Sequence, residues 1–150
     1  MGARELFEDA ARAVRRLSVV TAELDALEQA WRCGDWLTIG VSRWSSHSDP
    51  TATRAGYRMG RTDALESELS ALRSTVEEAR ALAEGIGELL GASYRDALAL
   101  RYLENHQWQE VADQMGVSVS TARNRVSVGL DTVDAMGAPR VMQGQGVAMG

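Results

Sequence analysis

Two apolar seams of equal length constrain the fold of this chain more than any other feature. Apolar residues fall at Leu6, Ala10, Ala13, Leu17, Val20, Leu24, Leu27 and Trp31, and again at Leu65, Leu69, Leu72, Val76, Ala79, Ala83, Ile86 and Leu90, each set alternating steps of four and three. That alternation is the stripe of a heptad repeat, which runs along one face of an α-helix and has to be covered by a partner. No Gly or Pro interrupts Ala3 to Arg32, so the first seam predicts one helix about 40 Å long at a rise of about 1.5 Å per residue. Gly34 ends it. Matching stripes predict an antiparallel helical hairpin over residues 1–91, its second helix running from about Ala55 to Leu90, in which each helix buries the other. Leu24, in the middle of its seam, then faces Leu69, Leu72 or Val76. Glu66, Glu68, Arg73, Glu77, Glu78, Arg80 and Glu84 fall off the seam and read as a solvated face.

The connection, residues 33–54, is longer than most helix connections, which makes it functional or mobile. Asp49-Pro50 favours a turn, and Thr51 or Thr53 can cap the second helix. Trp36, Ile39 and Trp44 are too apolar for a free loop and are expected to pack on the hairpin or on a second subunit. His47 and Asp49 lack the further ligand that a metal site or an acid–base pair would require.

Composition sets the class. With 150 residues, 45% of them hydrophobic and 25% charged, the chain suits one globular domain or one domain with an appendage. Two Pro and few aromatics point away from an all-β fold. There is no stretch of about 18 apolar residues and no signal or lipidation motif, so a cytoplasmic protein with no membrane partner is expected. Cys33 stands alone, which excludes a disulfide within the chain. No Gly-rich phosphate loop, metal-spaced cluster or catalytic constellation stands out, so neither an enzyme nor a cofactor is expected. All 16 cations are Arg, and the net charge of −5 argues against indiscriminate coating of nucleic acid.

The second feature is Gln107 to Leu130, QWQEVADQMGVSVSTARNRVSVGL, which has the apolar spacing of a helix-turn-helix. Val111, Met115, Val117 and Ala122 would form the core between two short helices, with Ala112 small enough for their contact. Gly116 allows the positive φ at which the first helix stops, and Ser118 can cap the second. An entry helix from Tyr94 to Leu103, opened by a Ser93–Asp96 capping-box variant, would be the third member of a tri-helical unit spanning residues 92–137. Gly137 and Pro139 stop the last helix, and residues 138–150 are expected to form a disordered tail.

These residues resemble the fourth conserved region of bacterial sigma factors. Trp108, Glu110, Val111 and Ala112 match its first helix, Val117 and Ser118 its turn, and Gly129, Leu130 and Val133 its closing motif. Thr121, Arg123 and Arg125 resemble the T-V-x-S-R of alternative sigma factors, and Ala97 to Gln107 is similar to the entry helix and loop. Taken with the two seams, this gives an all-α fold in which the long antiparallel hairpin read from the heptad stripes precedes a tri-helical unit, and the resemblance implies that this unit binds DNA. It also implies double-stranded DNA as partner, with RNA polymerase a further candidate. With Ala122, Val126, Leu130 and Val133 turned inward, Val119, Ser120, Arg123, Asn124 and Ser127 point outward into the major groove. Arg123 suits a bidentate contact to guanine, and Asn124 a contact to adenine or a phosphate. Ser118, Thr121 and Arg125 suit backbone contacts that set register.

With the first ninety residues taken up by the hairpin seams, the other conserved regions of a sigma factor are not expected here. A long helical N-terminal half with a DPTA stretch, Asp49 to Ala52, before such a unit is similar to small regulators of temperate phages of Gram-positive bacteria. The expected function is therefore a sequence-specific DNA-binding transcription regulator encoded by a phage or prophage. A polymerase or protein interaction module and a small phage DNA-packaging subunit remain alternatives. Ser93 to Gly137 carries four Arg against six acids, but Ser118 to Val128 has two Arg and no carboxylate. So few cations neutralise few phosphates, and together with the surface expected around Ala10, Ala13, Ala79 and Ala83 this suggests a homodimer through the hairpin.

Overall fold

The computed structural model describes residues 2–33 and 50–143, which fold into helices with no strand among the described residues. In chain order these are α1 (Ala3–Cys33), α2 (Pro50–Leu90), α3 (Ala92–Leu98) continued by a π-helical turn (Ala99–Leu103), α4 (Trp108–Met115), α5 (Val119–Met136) and α6 (Ala138–Gln143). The all-α expectation holds. The second long helix begins earlier than Ala55, at Pro50, a residue favoured in the first turn because that turn's N–H groups have no intrahelical acceptor. Trp36, Ile39, Trp44, His47 and Asp49 lie outside the described residues.

The chain divides into two units, one formed by Arg15–Arg73 and the other by Met1–Val14 with Ser74–Gly150. In the first, Val20, Leu27 and Leu65 are buried, with Leu24, Leu69 and Leu72 half-buried around them. Each of these six is a seam residue, so one stripe per helix supplies the core. Arg16 donates to both carboxylate oxygens of Glu68, at 2.5 and 3.0 Å, and Arg61 pairs with Glu23. One heptad forward on α1 is one heptad backward on α2, which fixes the antiparallel register. The Arg16 bonds hold the Glu68 carboxyl below the usual carboxylate range, yet such exposed pairs contribute little to stability.

The second unit is built differently. Its core takes Ala3, Phe7, Ala10 and Ala11 from α1, Ala79, Leu82, Ala83 and Ile86 from α2, and Leu98, Tyr102, Val126, Leu130, Val133 and Val141 from the segments that follow. Phe7, Ala11 and Leu82 lie off the heptad stripes. They are buried because α3, the π turn, α5 and α6 cover a second face of both long helices. Phe7 meets Tyr102 with ring centroids 5.5 Å apart and planes at 40°, and burial pushes the Tyr102 phenol up.

Two expectations are corrected here. Ala10, Ala79 and Ala83 are buried in this core and Ala13 is buried as well, so the flank read as free for a second copy is filled within the chain. Nor is the tail disordered from residue 138. Ala138–Gln143 forms α6, with Val141 fully buried, and a Cβ on Gly85 would stand 1.7 Å from the Val141 carbonyl oxygen. Gly85 thus leaves the space that α6 occupies, an approach too close for any side chain. The composition of the tail conceals this, because two isolated Val in a Gly-containing run carry no helical periodicity.

Candidate nucleic-acid interface

The helix-turn-helix is set by local chemistry at each end. Gln107 donates its N–H to Glu110 Oε1 at 3.2 Å, which opens α4 in the manner of a capping box. That bond, and then the His106 ring, hold the Glu110 carboxyl below the usual range. At the other end Gly116 takes φ 69°. Gly116 N–H reaches Asp113 O at 3.3 Å, and Val117 N–H reaches Ala112 O at 3.0 Å. These paired bonds form a Schellman closure, for which Gly is the least strained residue. Ser118 then caps α5, its Oγ accepting from Thr121 N at 3.1 Å and donating to Thr121 Oγ1 at 2.9 Å.

Between α4 and α5 the buried residues are Val111, Ala112 and Ala122, with Leu100, Trp108, Met115, Val117 and Val119 packed around them. The inward set on α5, Ala122, Val126, Leu130 and Val133, is buried as the periodicity requires. Gly129 belongs to the same face, where an added Cβ would come within 3.0 Å of Leu98 Cδ1. The small residue in the closing motif lets α5 approach α3.

The entry segment differs from its expected form. Gly91, at φ 114°, stands at the N-cap of α3 and no side chain caps it, so Ser93 and Asp96 do not act as a capping box. After Leu98 the helix widens to a π turn, in which Glu104 N–H reaches back to Ala99 O at 2.9 Å. Asn105 follows at φ 55°, and its side-chain amide donates to Ala11 O at 3.3 Å. His106, read from sequence as a turn residue, sits 3.2 Å from Glu110 Oε2 and 3.2 Å from Gln114 Nε2.

The expected contact residues are not all presented alike. Ser118, Ser120, Arg123 and Asn124 are exposed, whereas Thr121, Arg125 and Ser127 are half-buried. Val119 was expected to point outward but is half-buried against the small core. Arg123 and Arg125 lie on opposite sides of α5. Arg125 lines a groove with Asp96 and Glu104, while Arg123 stacks on Trp108, its guanidinium carbon 5.4 Å from the ring centroid. Arg101 also lies over that ring, at 4.8 Å, with its Nη1 donating to His106 O at 3.0 Å. Sequence reasoning did not connect Trp108 with either Arg, since no helical spacing links residues 101, 108 and 123. Among the described residues no cluster of His, Cys, Asp and Glu is gathered that could hold a metal ion, and no helix is long and apolar enough to cross a membrane.

A short helix capped by its N3 carboxylate, a glycine-closed turn and a serine-capped second helix with an exposed polar tip together define a helix-turn-helix of the DNA-binding kind. Residues 88–132 match the family model described as Sigma-70, region 4, so this segment is a sigma-70 region 4-like helix-turn-helix. It occupies less than a third of the chain. No curated protein and no solved structure gives a significant match.

Proposed function

We propose that this protein is a sequence-specific DNA-binding transcription regulator that reads the major groove with the first turns of α5. The observation that carries the reading is the tip of that helix. Ser118, Ser120, Arg123 and Asn124 are exposed there, and no carboxylate lies between Ser118 and Val128. The Trp108 ring under Arg123 holds the guanidinium in a restricted position, which lowers the entropy lost when it forms a bidentate contact. Arg125, on the opposite side of α5, is assigned to a phosphate across the groove. The reading extends to a phage or prophage regulator, supported by the resemblance of the long helical half and its DPTA stretch to such proteins. It also includes a homodimer, now supported only by the small number of phosphates one copy can neutralise.

Binding to a selected duplex and to random duplexes tests the assignment. Arg123→Ala should cost about 1 to 3 kcal/mol and relax preference at one base pair, whereas Arg125→Ala should weaken all sequences about equally. If both variants bind specific and random duplexes like the parent, α5 is not the reading helix. Retention of RNA polymerase binding without any DNA binding would favour the interaction-module reading instead. A single-copy mass in solution with an unsymmetrical footprint would reject the homodimer.

A further inference from the structure

The groove on the Arg123 side of α5 has a volume of about 360 Å³ and is lined by Arg4, Trp108, Arg123, Val126 and Ser127, with no carboxylate among them. Arg4 comes from the first turn of α1, far outside residues 88–132, which carry the sigma-like match. Its position is fixed by three attachments of α1 to residues of the tri-helical unit that flank the helix-turn-helix. Ala3 N–H donates to Asp134 Oδ1 on α5 at 2.8 Å, Phe7 is fully buried against Tyr102, and Asn105 holds the Ala11 carbonyl. Arg4 itself is exposed, and neither it nor Arg123 forms an ion pair among the described residues. By contrast Arg12, Arg80 and Arg95 in the same unit are each paired with a carboxylate.

We propose that Arg4 contacts a backbone phosphate of duplex DNA flanking the groove read by α5, making the start of α1 part of the DNA-binding surface. The inference rests on the DNA-binding reading above. A helix in the major groove is bordered on each side by a phosphate backbone, and side chains beside the reading helix meet phosphates rather than bases. Arg4 stands on that border. The Asp134 clamp on Ala3 keeps it there, and no carboxylate lines the groove into which it faces. An Arg on this side complements Arg125 on the other, so a tip with few cations would be held from both flanks.

The test uses the full chain, with binding to a selected duplex and a random duplex measured by fluorescence anisotropy over a salt series. Arg4→Ala should weaken both duplexes about threefold to tenfold and reduce the magnitude of the salt slope by about 0.9, as expected for one lost phosphate contact. Arg4→Lys should restore most of the loss. Arg73→Ala, an exposed site in the other unit, makes the same change in net charge and should leave affinity and slope unchanged. Circular dichroism melts should be the same for all variants, since Arg4 is on the surface. Arg4→Ala binding like Arg73→Ala, or losing base preference with an unchanged slope, overturns the proposal. If Arg123→Ala still weakens binding in that case, the DNA-binding reading stands; if the parent binds no duplex, both fall.

Discussion

The two long helices are used twice in this molecule, and the two uses differ. Between Arg15 and Arg73 they bury one stripe each, and the core consists of seam leucines and a valine. In the unit containing Met1–Val14 and Ser74–Gly150 the same two helices bury a second face as well, through Phe7, Ala11 and Leu82. A heptad pattern reports only that a helix has one partner. It does not report a further layer, because residues that meet the layer follow its geometry and not the repeat of their own helix. Phe7, fully buried, and Leu24, half-buried, illustrate the difference.

That contrast is open to direct attack. Phe7→Ala removes a ring from the closed core and should destabilise the protein by about 3 to 5 kcal/mol. Leu24→Asp places a charge in the narrow seam, but its half-exposed position lets the carboxylate reach water, so about 1 to 3 kcal/mol is expected. Denaturant melts of the two variants should rank in that order. Equal losses, or a Leu24→Asp protein as stable as the parent, would mean that the two regions do not differ as described.

A smaller effect should follow from Gly85→Ala. The added methyl cannot coexist with the Val141 carbonyl, so α6 has to shift, at a cost of about 1 to 3 kcal/mol that the gain of about 1 kcal/mol in helix propensity on replacing Gly within α2 partly offsets. Limited proteolysis should then cut near Ala138–Gln143 faster than in the parent. Unchanged cleavage would show that α6 is not held by this contact.

The smallest effect is electrostatic and occurs in both regions. Glu68 and Glu110 have folded pKa values held below the ordinary carboxylate value, Glu68 by its bond to Arg16 and Glu110 by the Gln107 N–H and then His106. A depressed folded pKa stabilises the fold fully above the unfolded value, and that contribution is lost as pH falls through the folded value, in the acid range below about pH 5. Glu68→Gln and Glu110→Gln should each reduce the difference in stability between pH 7 and pH 3. Both groups are exposed to solvent, so the reductions should be small, and a Gln variant that loses as much stability on acidification as the parent would exclude that carboxylate.

How much of this could be read from the chain depends on the range of the interaction. The antiparallel hairpin, the Gly116 stop, the Ser118 cap and the buried face of α5 were legible because each depends on residues within a few positions of one another or on a repeating stripe. Hydrogen bonds over three or four residues and the sign of φ leave a direct mark on residue choice. The Ala3 N–H bond to Asp134, the Trp108 platform under Arg123, the place of Arg4 and the seat of α6 on Gly85 were decided only in the tertiary structure. These contacts join residues far apart in sequence, and an Arg, a Trp or a Gly that meets a distant partner has the same local neighbours as one that does not. Periodicity determined which faces of the helices are apolar. Only the packing of α3, α5 and α6 on α1 and α2 decided how much of each face is buried and which exposed Arg stands beside α5.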